Sequence, residues 1–415
     1  MFYSQNLYNP KLLGKKDGVI MKIKEPIDNI VLLLIISQSL LFIFFFPSLE
    51  YPDGLFHFEQ MLYNDRDGNP YYLILRGVNY LILNVLNIND YNTLINNDLF
   101  SYFSWEPLYT HAYYNSWSVM LLQITNVFLV LLSIFIYRLV LSNIKTLHIQ
   151  EKKMFYRLCL LYFLYPTVGY LVVGITPDFP GYLYQPFFVL LIFLRKHLIN
   201  LFFCIIIYVF FDQGIILNIY FIIIFILFSF IFKVKMKNKN SIISILTVIS
   251  VIAIYYLSNF VIVNLFQSEI FDIMKMTQEQ SGTLYTKIVN LYLGSFYFLG
   301  SGSYVTFPLL YLVFGIIIIR IMYKTFLSKD LNDKKLKSMY LVSFVTIIST
   351  ILLFPPYSHI RYYLFLIFFI LMGFFSSVLR DRYVLSDRKF IIFSGIVFFH
   401  NSILTLLISI KTFLL

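Results

Sequence analysis

Residues 29–60 read NIVLLLIISQSLLFIFFFPSLEYPDGLFHFEQ. From Asn29 to Ser48 the run carries no charge, and only Ser37, Gln38 and Ser39 interrupt its apolar body. An α-helix needs roughly 20 such residues to cross a bilayer core of about 30 Å. The run then ends abruptly in titratable groups. Asp53, His57 and Glu59 follow just past the expected membrane exit.

The rest of the chain repeats the first half of that pattern. Its 415 residues are 59% hydrophobic, 20% aromatic and 13% charged. A soluble domain averages about 45–50% apolar and about 25% charged. A soluble fold of this size has no interior large enough to hide that surface, so the composition predicts an all-α polytopic membrane protein. Cys159 and Cys204 both lie inside apolar runs. They read as packed thiols, without a disulfide framework or a metal cluster. The polar first twenty residues, with Lys11, Lys15 and Lys16, do not resemble a secretory leader.

Apolar runs predict about eleven spans, at 29–48, 116–142, 154–173, 180–195, 198–211, 215–232, 241–264, 304–322, 338–355, 361–379 and 391–412. The fifth is short, and Asp212-Gln213-Gly214 separates it from the sixth, which admits a shallow hairpin or a broken helix. The net charge of +11 tests this count. Lys22 and Lys24 precede the first run, Lys145, Lys152 and Lys153 follow the second, and Arg195, Lys196 and His197 follow the fourth. KVKMKNKN (233–240), YKTFLSKDLNDKKLK (323–337) and RDRYVLSDRK (380–389) follow the sixth, eighth and tenth. With eleven crossings that start inside, every basic cluster falls on the cytoplasmic side. This distribution explains the charge without nucleic acid.

The organisation that follows is a cytoplasmic tail (1–28) and one polytopic domain (29–415) with outer loops at 49–115 and 265–303. Within the first loop, YYLILRGVNYLILNVL (71–86) and LFSYFSWEPLY (99–109) interleave polar and apolar residues. Two helices lying along the membrane surface fit that pattern. No internal repeat of fixed period is visible.

Each polar residue on the outer side has a bland role and a chemical one. Asp53, in a Pro-Asp-Gly turn, either caps a helix or is a catalytic carboxylate that takes a proton from an acceptor hydroxyl. His57, four residues on, shares its face if the segment is helical, whereas Glu59 is rotated away. Arg361 follows PPYSH at the outer end of a span, beside His359, Tyr362 and Tyr363. It either snorkels to headgroups or grips a phosphate with its donor fork. Arg76, in the surface helix, has the same two roles. Trp105, Glu106 and His111 suit either an aromatic belt or the stacking and hydrogen bonding that hold sugars. Asp178, in GITPDFPGY, is either a turn residue or a second, acceptor-side carboxylate. Glu269, Asp272 and Glu279 read as solvated charges. No phosphate-cradling glycine loop, nucleotide fingerprint or Cys/His metal spacing occurs.

An acidic residue in the first outer loop, followed by surface-lying helices, resembles the C-type glycosyltransferase (GT-C) superfold. The stretches that carry the likeness are YPDGLFHFEQM (51–61), YPTVGYLVVGITPDFPGYLYQPFFVLLIF (165–193) and PPYSHIRYYLFLIFFIL (355–371). The usual acidic pair is absent, since Gly54 follows Asp53. The composition also resembles bacterial O-antigen and capsule repeat-unit polymerases. The resemblance implies a glycosyltransferase of the bacterial inner membrane that joins sugars or repeat units carried on polyprenyl phosphate or diphosphate. Asp53 would activate the acceptor. Arg361, with Arg76, His359 and Tyr362, would hold the carrier phosphate. His57, Glu59, Trp105, Glu106, His111 and Asp178 would line the saccharide site. A divalent metal stays open as a cofactor, and a chain-length regulator protein stays open as a partner besides the bilayer and the lipid-linked saccharide. The alternatives are a repeat-unit flippase or other transporter and a non-catalytic scaffold. A transporter calls for mid-span charges and paired halves, and the sequence has few of the former and none of the latter.

Overall fold

A computed structural model describes residues 26–45, 69–86, 117–165, 168–169, 174–176, 178–211, 215–231 and 387–414, with single positions near 342–346 and at 368 and 371. Among these residues there is no strand. The helices are α1 (Pro26–Phe45), α2 (Pro70–Asn84), α3 (Trp117–Asn143), α4 (Ile149–Leu164), α5 (Phe179–Phe193), α6 (His197–Phe210), α7 (Ile216–Ile231) and α8 (Asp387–Leu414). Two stretches, Pro26–Phe44 and Val119–Asn143, are long and apolar enough to cross a bilayer.

Local chemistry sets the helix ends. Asn69 caps α2 by accepting from the Tyr71 N–H at 2.9 Å, and Pro70 occupies the first helical position, where its missing N–H costs nothing. α4 begins at Ile149, five residues before the expected 154, because Glu151 folds back to accept from the His148 N–H at 2.9 Å. It ends at Leu164 and not at 173. Tyr165 is extended, as the residue before Pro166 must be to avoid the proline ring.

Helix α5 contains Pro186, which has no N–H to give the Tyr182 carbonyl one turn back. The Tyr162 hydroxyl of α4 donates to that carbonyl at 3.2 Å, and the Ser133 hydroxyl of α3 donates to the next one, on Leu183, at 3.2 Å. The α4 hydroxyl thus supplies the bond that proline removes. The α5–α6 turn closes with Lys196 N–H on the Leu191 carbonyl at 2.9 Å and Arg195 N–H on Ile192 at 3.0 Å. Arg195 takes φ 57°, the left-handed position usually given to glycine. α6 has 14 residues, about 21 Å of helix, less than a bilayer core.

α4 is the hub. Every residue from Phe155 to Leu164 is buried, so this helix has no outward face over that length. α1, α3, α5 and α8 pack around it, and α6 and α7 continue the bundle beyond α5. Buried positions on α1 (Asp28, Val31, Ile35, Gln38, Phe42) and on α8 (Phe390, Ser394, Val397, Asn401, Thr405) recur at helical spacing. The opposite faces stay apolar as well: Leu33, Phe128, Leu132, Phe135, Phe202, Phe399 and Leu406 are exposed. Apolar residues on both faces suit a helix with lipid outside and protein inside. Cys159 and Cys204 are free and buried.

Two polar layers tie α1, α4 and α8 together. In the first, Arg157 is fully buried; its Nε donates to Asp28 Oδ1 at 3.0 Å and its Nη2 to Asp387 Oδ1 at 2.8 Å. Lys153 Nζ lies 3.4 Å from the same Asp387 oxygen, and the guanidinium lies 4.7 Å from the Phe390 ring centre. In the second, the Asn401 amide donates to Gln38 Oε1 and, at 2.9 Å, to the Leu164 carbonyl. Gly169 lies so close to the Gln38 side chain that a Cβ there would collide with it. Residue numbers rise from the first layer to the second on all three helices, so α1, α4 and α8 run in the same direction. Arg138, Lys145, Lys152, Lys153, Arg157, Arg195, Lys196, Arg388 and Lys389 cluster toward the Arg157 end. Arg76 and Lys411 belong to elements at the other.

Candidate functional site

Of the eleven residues that the sequence nominates, Arg76 and Asp178 fall among the described ones. Asp53, His57, Glu59, Trp105, Glu106, His111, His359, Arg361 and Tyr362 lie outside them. The two that are described belong to the same end of the bundle, away from the Arg157 layer.

That end is assembled around Tyr71. Its hydroxyl donates to Asn126 Oδ1 of α3 at 2.9 Å, and the Asn126 amide donates to the Gly174 carbonyl at 2.9 Å. The Thr176 backbone also reaches the phenol, and the Tyr71 ring packs against Phe179 with centres 5.7 Å apart. Burial pushes the Tyr71 phenol well above its ordinary range, which keeps it a neutral donor. Asn69, just ahead, donates to the Phe211 carbonyl at the end of α6 at 2.8 Å. The first turn of α2 is thereby stitched to α3, α5 and α6. Asn126, a third of the way along α3, and the Ser142 turn at its end are about 24 Å apart along the axis.

Helix α2 carries Arg76, half-buried, one residue beyond the buried Leu75. Its outward side chains are Leu73, Ile74, Tyr80 and Leu81. The expected surface helix at 71–86 is therefore present as a helix. Its docked face holds Tyr71, Tyr72, Leu75 and Ile82, and its free face is apolar.

Asp178 precedes α5, where a carboxylate ordinarily caps the helix. Here the side chain makes no capping hydrogen bond. Its N–H donates to Thr176 Oγ1 at 3.3 Å, and its Oδ2 accepts from the Tyr182 hydroxyl at 3.2 Å. No ion pair reaches this half-buried carboxylate among the described residues. The phenol sits one helical turn along on the same face, and Asp178 itself lies in a turn, the bland role that the sequence offers.

Tyr71, Asn126, Thr176 and Tyr182 were not singled out by the sequence. Asn126 gave a signal, as an amide inside an apolar run, and Tyr182 gave another, at i+4 from Asp178. Tyr71 and Asn126 are 55 positions apart, beyond the reach of any local periodicity. Among the described residues, no three or more His, Cys, Asp or Glu side chains gather into a metal-binding group. Comparison of the chain with protein-family models, curated proteins and solved structures finds no match.

Proposed function

We propose that this protein is a membrane-embedded glycosyltransferase that moves sugars or repeat units from a polyprenyl-phosphate or diphosphate carrier to a saccharide acceptor on the extracytoplasmic face. One observation carries the reading: Asp178 is a half-buried carboxylate that neither caps its helix nor pairs with a cation among the described residues. A charge kept under those conditions is a candidate for chemistry. The basic residues at the opposite end support a cytoplasmic assignment for that end and an outer one for Asp178.

In this reading about eleven helices cross the bilayer in a GT-C-like arrangement, with the N-terminus in the cytoplasm of a bacterium. Displacement at an anomeric carbon needs an activated hydroxyl and a stabilised leaving phosphate. Asp53 activates the acceptor. Arg361 and Arg76, with His359 and Tyr362, neutralise the carrier phosphate. Asp178, with His57, Glu59, Trp105, Glu106 and His111, holds the saccharide. Joining repeat units and adding single sugars place the same demands on these residues.

The interior amides favour a second reading, a repeat-unit flippase or other transporter. Among the described residues Gln38 Nε2 and Asn218 Oδ1 are buried without a hydrogen-bond partner, and a conformational change is one way to satisfy such atoms. The lipid-linked products of a deletion strain separate the two. The enzyme reading expects single units on the outer face and no long chains, with the same profile for Asp53→Asn and Arg361→Ala at normal protein levels. Units stranded on the inner face establish the transporter. Unchanged long chains in both variants overturn the site.

A further inference from the structure

Helix α8 is held by two polar contacts on one face. In its first turn Asp387 accepts from Arg157 at 2.8 Å and from Lys153 at 3.4 Å. Fourteen residues later Asn401 donates to Gln38 and to the Leu164 carbonyl. That separation is about 21 Å of helix. Between the two contacts the face offers Phe390, Ser394 and Val397. These groups pack well, but a slip of one turn, about 5.4 Å, would still give them apolar neighbours.

The polar contacts do not tolerate that slip. α8 brings Asp387 to Arg157 and Lys153, beside the Asp28 of α1 that Arg157 also meets. Displacing Asp387 takes a 2.8 Å acceptor from the buried Arg157, and displacing Asn401 takes a donor from the Leu164 carbonyl and from Gln38. One such contact sets the height of a helix along its axis, and a second, far from the first, also sets its roll. Arg157 and Asn401 are buried, whereas Asp387 is 43% exposed; buried polar groups such as these two have their best-attested use in specifying register.

We propose that Asp387 and Asn401 form a two-point register key that seats α8. Asp387 lies 230 residues after Arg157, so the key is completed only when α8 joins α1 and α4.

The test uses the full-length chain with Cys159→Ala and Cys204→Ala. Val31 and Ser394 each lie seven residues before the Gln38–Asn401 contact, on buried faces. The pair Val31→Cys/Ser394→Cys should form an oxidative cross-link about tenfold better than pairs that join Val31→Cys to Phe390→Cys or Val397→Cys. Asn401→Leu should cut that preference to about threefold, because one point remains. The variant Asp28→Leu/Lys153→Met/Arg157→Met/Asp387→Leu/Asn401→Leu, with no orphan charge, should accumulate normally yet cross-link at all three positions alike. An undiminished preference for position 394 in that variant overturns the key. Where it fails to accumulate, an undiminished preference in Asn401→Leu alone overturns it.

Discussion

The two ends of the bundle treat their carboxylates in opposite ways. At one end Asp28 and Asp387 meet Arg157 and Lys153. At the other, among the described residues, Asp178 meets a phenol and no cation, beside a set of neutral hydrogen bonds centred on Tyr71 and Asn126. An ion-paired cluster among packed helices secures the fold. A carboxylate that meets no counter-cation among the described residues contributes less to stability and has more freedom to act on a ligand. The sequence alone does not separate the two, because each aspartate stands at the edge of an apolar run.

The largest expected effect tests the first end. Arg157→Ala leaves Asp28 buried without its guanidinium and should cost about 3–5 kcal/mol. The drop in melting temperature of the solubilised protein measures it. A cost under about 1 kcal/mol would make the two ends energetically equivalent and erase the contrast. Next, Asn126→Leu takes its acceptor from the Tyr71 hydroxyl, which keeps the Thr176 backbone contact, and its donor from the Gly174 carbonyl, at about 1–3 kcal/mol. Amide hydrogen exchange should show the loss concentrated in α2 and the residues before α5, with α8 unchanged.

A smaller, pH-dependent effect distinguishes Asp387. Its hydrogen bond from Arg157 holds the carboxyl below its ordinary range, against partial burial, with further help from the charges of Arg157 and Lys153. A lowered folded-state pKa contributes stability that is present above the unfolded value of about 3.9 and is lost as pH falls through the folded one. The melting difference between wild type and Asp387→Asn should therefore be full at neutral pH and shrink in acid below the ordinary carboxylate range. A constant difference would place its origin in packing. Smallest in stability is Tyr182→Phe, since Asp178 is half-buried and water can replace the phenol; the expected cost is below about 1 kcal/mol. Under the proposed glycosyl transfer its effect should appear in the acceptor KM, about tenfold, with the donor KM unchanged. A stability loss as large as that of Arg157→Ala would make Asp178 structural and close the comparison.

Much of the helical layout was legible in the amino-acid sequence. Apolar runs placed α1, α3, α5, α6, α7 and α8 to within about five residues, because hydrophobic length is a local property. α4 was misplaced at both ends. Its first turn carries Glu151, Lys152 and Lys153, which hydropathy counts as loop although Glu151 folds back onto the helix start. Its last turn stops at Pro166, inside a run that remains apolar. The candidate site was legible only as separate residues. Arg76 and Asp178 stood out by charge, but Tyr71 with Asn126, and Arg157 with Asp387 across 230 positions, are products of packing. Tyr162 serving the carbonyl freed by Pro186 is of the same kind. No period in the sequence encodes such pairs.

The left-handed turn at Arg195 carries a consequence of its own. A side chain there costs about 1–2 kcal/mol that glycine would avoid. Glycine would relax the hairpin, and it would also remove one cation from the end where the described cations collect. In the topology proposed above those cations set the direction of insertion, and a more thermostable Arg195→Gly protein should then insert with less uniform orientation.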